Sequence, residues 1–250
     1  MSTSVLGVIP ARYASSRFPG KVLAVIAGKS MLQRVWERCS MAGLQHLVIA
    51  TDHTIVAEHA QSFGAEVVLT STEHASGTDR CFEAMFLQNE AYDYVVNIQG
   101  DEPFIDPAQI KALIDVLDGK TEIATLIKQA ETLQEVLSVD EAKVVLNDHG
   151  NAIYFSRSPI PYVRNQPQEE WLQYHTYYLH VGLYAYRADV LRAISKLPTS
   201  KLEFAESLEQ LRWLEAGYAI RTVLTSAESI CVDRPEDMAR AEQYALRWGL

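Results

Sequence analysis

The feature that most constrains this chain is a run of short segments, apolar along their whole length, that alternate with amphipathic helical patterns over the first 117 residues. Residues 4–9 (SVLGVI), 46–51 (HLVIAT), 66–69 (EVVL) and 94–99 (YVVNIQ) read as strands. Between them, Met31, Leu32, Val35, Trp36 and Cys39 fall on one face of a helix that stops near Gly43, and Ile55, Val56, Ala60 and Phe63 on one closed by Gly64. Residues 76–88 are a further helical stretch, and Asp106 followed by Pro107 is a helix start ahead of Ile110, Leu113, Ile114 and Leu117. Strands without a polar face must be covered on both sides, which predicts a parallel sheet between helices: an α/β, doubly wound, mostly parallel fold. Ligands of such sheets bind beyond the carboxyl ends of the strands.

The texture changes after about residue 128. Residues 143–146 and 152–155 flank Asn147-Asp148-His149-Gly150-Asn151, which is hairpin chemistry, and prolines follow at 159, 161 and 167. An aromatic strand over 180–186 precedes helices over 204–215 and 235–247. The expected organisation is a single domain over 1–250, with 129–186 as a smaller antiparallel lid or dimerisation subdomain. With 48% apolar and 22% charged residues, the composition is that of an ordinary folded protein. No stretch approaches the ~20 apolar residues of a membrane span. No leader precedes Arg12, so the expected location is the cytoplasm. Cys39, Cys81 and Cys231 lack any CxxC pair and read as buried thiols.

The net charge of −10 argues against nucleic acid or an anionic membrane as a partner. Residues 1–36 nevertheless contain no acid, while carrying Arg12, Arg17, Lys21, Lys29 and Arg34. The loop after the first strand has neither G-x-G-x-x-G nor a P-loop. Instead, small residues alternate with Arg12, Arg17 and Lys21, which suits a triphosphate better than a solvated basic loop. Asp101 is the first carboxylate beyond the strand at 94–99, at the same sheet edge, where a hard cation can bridge protein and phosphate oxygens; a plain turn is the competing reading. Asp233 precedes a Pro-Glu-Asp helix start, so taken alone it reads as a cap, and only the other two motifs promote it. A lone His180 in a strand reads first as a core histidine. No nucleophile elbow supports covalent catalysis.

Seven motifs occur in order: residues 8–21 (VIPARYASSRFPGK), 76–80 (SGTDR), 96–103 (VNIQGDEP), 155–161 (FSRSPIP), 180–184 (HVGLY), 208–212 (LEQLR) and 232–237 (VDRPED). Together they resemble the CMP-Kdo synthetases, the 3-deoxy-manno-octulosonate cytidylyltransferases. The resemblance implies a nucleotide-diphospho-sugar transferase-like fold and a homodimeric cytoplasmic enzyme. Its reaction joins CTP to the eight-carbon acid sugar Kdo, releasing pyrophosphate, for lipopolysaccharide assembly. It implies that Pro10, Ala11, Arg12, Arg17 and Lys21, with Ser76, Gly77, Thr78 and Arg80, hold the nucleotide. Asp101 and Asp233 would ligate Mg²⁺ and act with Lys21 in catalysis. Gln99, Arg157, His180, Tyr184, Glu209 and Gln210 would shape the sugar site. The chain departs from the pattern at Cys231 and Arg234, where the family usually has Gly and Thr, and at Val22 and Ser30, where Pro is common. Two alternatives stay open: a CMP-transferase for another acid sugar, such as sialic acid or 8-amino-Kdo, and a catalytically silent nucleotide-binding or scaffolding protein on the same fold.

Overall fold

Val5 to Ile9 are all buried in the computed structural model, so β1 (Val5–Pro10) is covered on both faces, as its unbroken apolar run requires. The structure describes residues 3–14, 18–227 and 231–249. The chain divides into two units, Met1–Asp115 with Ala227–Leu250, and Val116–Ser226.

In the first unit, β1 is followed by β2 (Val25–Ile26), β3 (Lys29–Ser30), α1 (Met31–Ser40), β4 (His46–Thr51), α2 (Thr54–Ser62), β5 (Glu66–Leu69), α3 (Gly77–Phe86), β6 (Tyr94–Asn97) and α4 (Pro107–Ile114). A C-terminal helix over Asp237–Trp248 completes it. The sheet runs β6-β1-β4-β5 and every pair is parallel, with Val8 opposite both Val48 and Asn97. Parallel neighbours need crossover connections, and the amphipathic segments supply them: α2 packs on β4 and β5, and α3 on β1, β4 and β6. The start of α4 is built as the sequence predicts, and α1 and α3 carry serine caps that were not read from the sequence. Ser30 and Ser76 accept from the N–H groups of Gln33 and Asp79, and Asp106 forms a reciprocal capping box with Gln109.

One element was not foreseen. The apolar stretch around residues 22–27 is no core strand; it enters a two-stranded ribbon of β2 and β3, turned at Ala27 and Gly28 with φ of 44° and 84°. Arg34 clamps this turn, its guanidinium donating to the carbonyls of Ile26 (2.6 and 2.8 Å) and Ala27 (3.0 Å). Ile26 then joins Met31, Phe104, Val232, Ala241 and Ala245 in one buried cluster, which packs the C-terminal segment against the ribbon, α1 and the loop after β6. Cys39 and Cys81 are buried as expected, but Cys231 is exposed. Its neighbour Val232 takes the core position, and adjacent residues of an extended chain face opposite ways.

The second unit contains β7 (Ile123–Gln129), α5 (Leu133–Leu137), β8 (Lys143–Leu146), β9 (Ala152–Ser156), α6 (Trp171–Tyr174), β10 (Tyr178–Arg187), α7 (Ala188–Ile194), α8 (Lys201–Glu206), α9 (Gln210–Glu215) and β11 (Ile220–Leu224). β7 pairs antiparallel with β10 and parallel with β11, while β10 pairs with β8 and β8 with β9, both antiparallel. The segment expected as an extension, 129–186, lies inside this unit, which starts earlier and also takes in β7 and β11. The hairpin at Asn147 forms as predicted, the Asn147 side chain accepting from the N–H groups of His149 and Asn151. The helix expected over 204–215 is two helices instead, broken where Ser207 adopts a left-handed conformation. No helix among the described residues is long and apolar enough to cross a membrane.

The loop after β6 lies hard against β1. A Cβ on Gly100 would sit 2.8 Å from the Pro10 carbonyl oxygen, a backbone atom that cannot rotate away. Gly100→Ala should therefore lower stability by about 1–3 kcal/mol, the usual cost of overpacking. Urea unfolding checks this, and an unchanged midpoint would show that the loop can yield.

Candidate active site

The carboxyl ends of β1 and β6 open into a cleft of about 190 Å³ in the first unit. Pro10, Arg12, Lys21, Ser76, Gly77, Arg80, Gln99 and Asp101, all singled out in the sequence, line it. Parallel neighbours end at the same edge of a sheet, so residues from loops 90 positions apart in sequence face one space. Ala11 is buried and donates its N–H to the Ala50 carbonyl (2.8 Å), and Thr78 is buried in the first turn of α3, so neither lines the cleft. Arg17 lies outside the described residues.

Lys21 is the centre of the site. It follows Gly20, whose φ of 69° favours a residue without Cβ, and opens a 3₁₀ turn over Lys21–Leu23. Its Nζ donates to Asp101 Oδ2 at 2.6 Å and to Asp233 Oδ1 at 3.0 Å. Burial opposes the charge on this ammonium, but Asp101 and then Asp233 outweigh it and hold the Lys21 pKa above that of an ordinary lysine. Asp233 reaches this point because the Val232 N–H donates to the Asp101 carbonyl (3.0 Å) while the Val232 side chain is locked in the core. The turn before the C-terminal helix is tied by Asp237, whose Oδ2 accepts from the N–H groups of both Asp233 and Arg234, each at 2.9 Å. The cap reading of the sequence thus passes to Asp237, leaving the Asp233 carboxylate facing Lys21.

Two carboxylates converging on one ammonium make a cradle for a cation. Their oxygens suit a hard ion such as Mg²⁺, which is held by one or two carboxylates together with phosphate oxygens. Asp101 and Asp233 therefore fit the ion that the family resemblance implies.

Two site residues escaped the sequence reading. Asp52, the first residue after β4, accepts from Arg80 Nη2 at 2.7 Å, while Arg80 Nη1 donates to Thr70 Oγ1 at 2.5 Å. The rule that singled out Asp101, the first carboxylate beyond a parallel strand, would have found it. His74 also lines the cleft, bonded through Nε2 to Glu83, whose pKa stays low despite burial because the Ser71 N–H and His74 favour its charge. Its only signal was its place just before the SGTDR motif.

Of the residues expected around the sugar, Gln99 belongs to the first unit and Arg157, His180, Tyr184, Glu209 and Gln210 to the second. In the second unit a bulge interrupts β10 between Val181 and Tyr184, and Thr125 Oγ1 holds it, lying 3.2 Å from the Val181 carbonyl and 2.9 Å from that of Leu183. The bulge brings the His180 and Tyr184 rings to 5.2 Å between centroids. Trp213 meets Tyr184 edge-on at 5.2 Å. Burial, followed by the charge of Glu209, raises the Tyr184 pKa well above its ordinary value. Gln210 is buried and its side-chain nitrogen has no hydrogen-bond partner. Arg157 is used locally, donating to the carbonyls of Glu206 (2.8 Å) and Val139 (3.0 Å).

Residues 6–228 match the family model described as cytidylyltransferase. The chain belongs to the cytidylyltransferase family. It is 52% identical over 243 residues to a 3-deoxy-manno-octulosonate cytidylyltransferase of Phocaeicola vulgatus, covering 96% of each chain. Among solved structures it resembles a CMP:2-keto-3-deoxy-manno-octonic acid synthetase complexed with CTP, with a TM-score of 0.91 and 41% identity over 98% of this chain and 100% of that one. The fold also occurs in the 4-diphosphocytidyl-2C-methyl-D-erythritol synthase of Anaerococcus prevotii, with a TM-score of 0.64 at 13% identity, covering 98% of this chain and 97% of that one. The family and fold read from the ordered motifs are thus those that the chain has.

Burial of His180 lowers its pKa to about 4, from 6.5. The unfolded chain takes up this proton first, so the stabilising contribution of the neutral ring is fully present above pH 6.5 and is lost as the pH falls towards 4. Replacing the ring in His180→Gln should remove that part of the acid sensitivity. Urea titrations of both proteins between these limits test it, and parallel curves would count against a buried neutral imidazole.

Proposed function

We propose that this cytidylyltransferase joins CTP to 3-deoxy-manno-octulosonate (Kdo), giving CMP-Kdo and pyrophosphate. The observation that carries the reading is the convergence of Lys21, Asp101 and Asp233 at the mouth of a cleft lined by the basic first loop. The high identity to Kdo cytidylyltransferases supports the choice of sugar. A catalytically silent scaffold would have no use for this arrangement.

The anomeric hydroxyl oxygen of the sugar attacks the α-phosphorus, the bond to the bridging oxygen breaks, and pyrophosphate leaves with its electron pair while the hydroxyl proton passes to solvent. No protein nucleophile takes part. Arg12 supplies a planar guanidinium to the phosphate oxygens. Lys21, released from the carboxylates, turns its ammonium to the phosphoryl group, where negative charge grows in the transition state. Asp101 and Asp233 would hold Mg²⁺, which when bound neutralises phosphate charge and lowers the pKa of the attacking hydroxyl. Within the second unit, Tyr184, Glu209 and Gln210 are the polar groups that the family resemblance assigns to the sugar, and the buried unpartnered amide of Gln210 is a donor awaiting an acceptor. The reading places the enzyme with the CTP pool of the cytoplasm.

Pyrophosphate release, measured over CTP, UTP, ATP and GTP against Kdo, 8-amino-Kdo and sialic acid, should be highest for CTP with Kdo and should need Mg²⁺. Equal rates with ATP, or release without sugar, would refute the reading. Lys21→Ala should lower kcat, the loss of one such donor typically costing ~2.7–4 kcal/mol. Asp233→Asn should melt near wild type, since the turn is tied by Asp237, while losing turnover.

The family likeness also supports a homodimer, and the second unit exposes large apolar side chains at Val139, Ile153, Tyr162 and Phe204. Sedimentation should show a dimer that Ile153→Asp or Tyr162→Asp weakens. A dimer indifferent to both would move the contact elsewhere.

A further inference from the structure

A third ligand atom stands beside the two carboxylates. Cys231 Sγ and one carboxylate oxygen each of Asp101 and Asp233 all lie within 4.8 Å of one another. Cys231 is an exposed residue whose sulfur sits in a partly buried place beside the carboxylates, whereas Cys39 and Cys81 are buried. Lys21 already brings a positive charge to the two carboxylates of this cluster.

We propose that Asp101, Cys231 and Asp233 form a site for a thiophilic divalent cation of the zinc class. Mg²⁺ gains nothing from a sulfur ligand, because it is a hard ion that takes oxygen donors. Zn²⁺ and Cd²⁺ bind thiolate strongly and accept carboxylates alongside it. Three protein ligands leave a fourth position for water or a phosphate oxygen, as in open zinc sites. With metal–sulfur and metal–oxygen lengths of roughly 2.3 and 2.0–2.2 Å, ligands of a tetrahedral ion sit about 3.3–3.8 Å apart, so no two ligand atoms of the cluster have to close by more than about 1.5 Å. Rotation of the Cys231 side chain supplies such a movement. On binding, the metal–sulfur bond forms, the thiol proton passes to solvent, and no electron is exchanged; the dication takes the place of the Lys21 ammonium. The site deepens the nucleotidyl-transfer reading, since it claims the same two carboxylates and would set thiophilic metals against Mg²⁺. Its existence, however, requires neither CTP nor sugar.

Cd²⁺ added to the full-length protein, without nucleotide, should give the ultraviolet thiolate-to-cadmium charge-transfer band, saturating at one equivalent. Cys231→Ser should abolish the band while unfolding at the wild-type temperature. Asp101→Asn should keep the band but weaken Cd²⁺ binding by at least the 10- to 100-fold that loss of even an outer-shell partner costs. Calorimetry with Zn²⁺ should rank the three proteins alike. A band that survives in Cys231→Ser places the metal on another cysteine, and equal affinities of wild type and Asp101→Asn reduce the site to a lone thiol; either result overturns the proposal. Because no substrate is present, these outcomes do not depend on which sugar or nucleotide the enzyme uses.

Discussion

The ammonium of Lys21 between the carboxylates of Asp101 and Asp233 is the interaction on which the site is built. Two like charges brought together in a partly buried place repel unless a cation lies between them, and the lysine provides it. Asp233 keeps 44% of its side chain exposed, so solvent screens its half of the pair, and the contact is better understood as a poised arrangement than as a source of stability. What holds the three residues in place lies beneath them. The core of Ile26, Met31, Phe104, Val232, Ala241 and Ala245 fixes the C-terminal segment, and the backbone bond from Val232 to Asp101 fixes its register.

The basic character of the first 36 residues resolves into distinct jobs. Arg34 is buried and spent on the carbonyls of the β2–β3 turn, and it also stacks over Phe104, 5.8 Å from the ring centre. Lys29 pairs with Glu37 at 2.7 Å. Arg12 and Lys21 remain at the cleft. A local charge excess therefore overstated the ligand site, because a guanidinium satisfies main-chain carbonyls as readily as phosphates. Arg80 makes the same point from the other side: it lines the cleft, yet its buried guanidinium is committed to Asp52 and Thr70.

In the second unit, the bulge in β10 does for His180 and Tyr184 what the loop after β6 does for Asp101. The two extra residues between Val181 and Tyr184 drop out of the ladder, so that His180 and Tyr184 stand only two register positions apart, opposite Ile127 and Thr125, and their rings meet on one face. Thr125, from the neighbouring strand, anchors the distortion through main-chain carbonyls. An enclosed imidazole and a buried tyrosine follow from that single irregularity.

The sequence by itself determined the parallel sheet of the first unit, the start of α4 and the residues at the sheet's carboxyl edge, because periodicity, capping and strand ends are written in neighbouring residues. The hairpin at Asn147 was legible for the same reason. The split between α8 and α9 was not, since the left-handed Ser207 carries no glycine to announce it. The ribbon of β2 and β3 was hidden in an apolar run whose turn is made by Ala27 as much as by Gly28. β7 and β11 went unassigned. Asp233 could be read locally only as a cap. Its place beside Lys21 depends on contacts between residues more than 200 positions apart, which the packing of Val232 creates and no local pattern encodes. The exposure of Cys231 was decided in the same way, by which of two adjacent residues the core accepted.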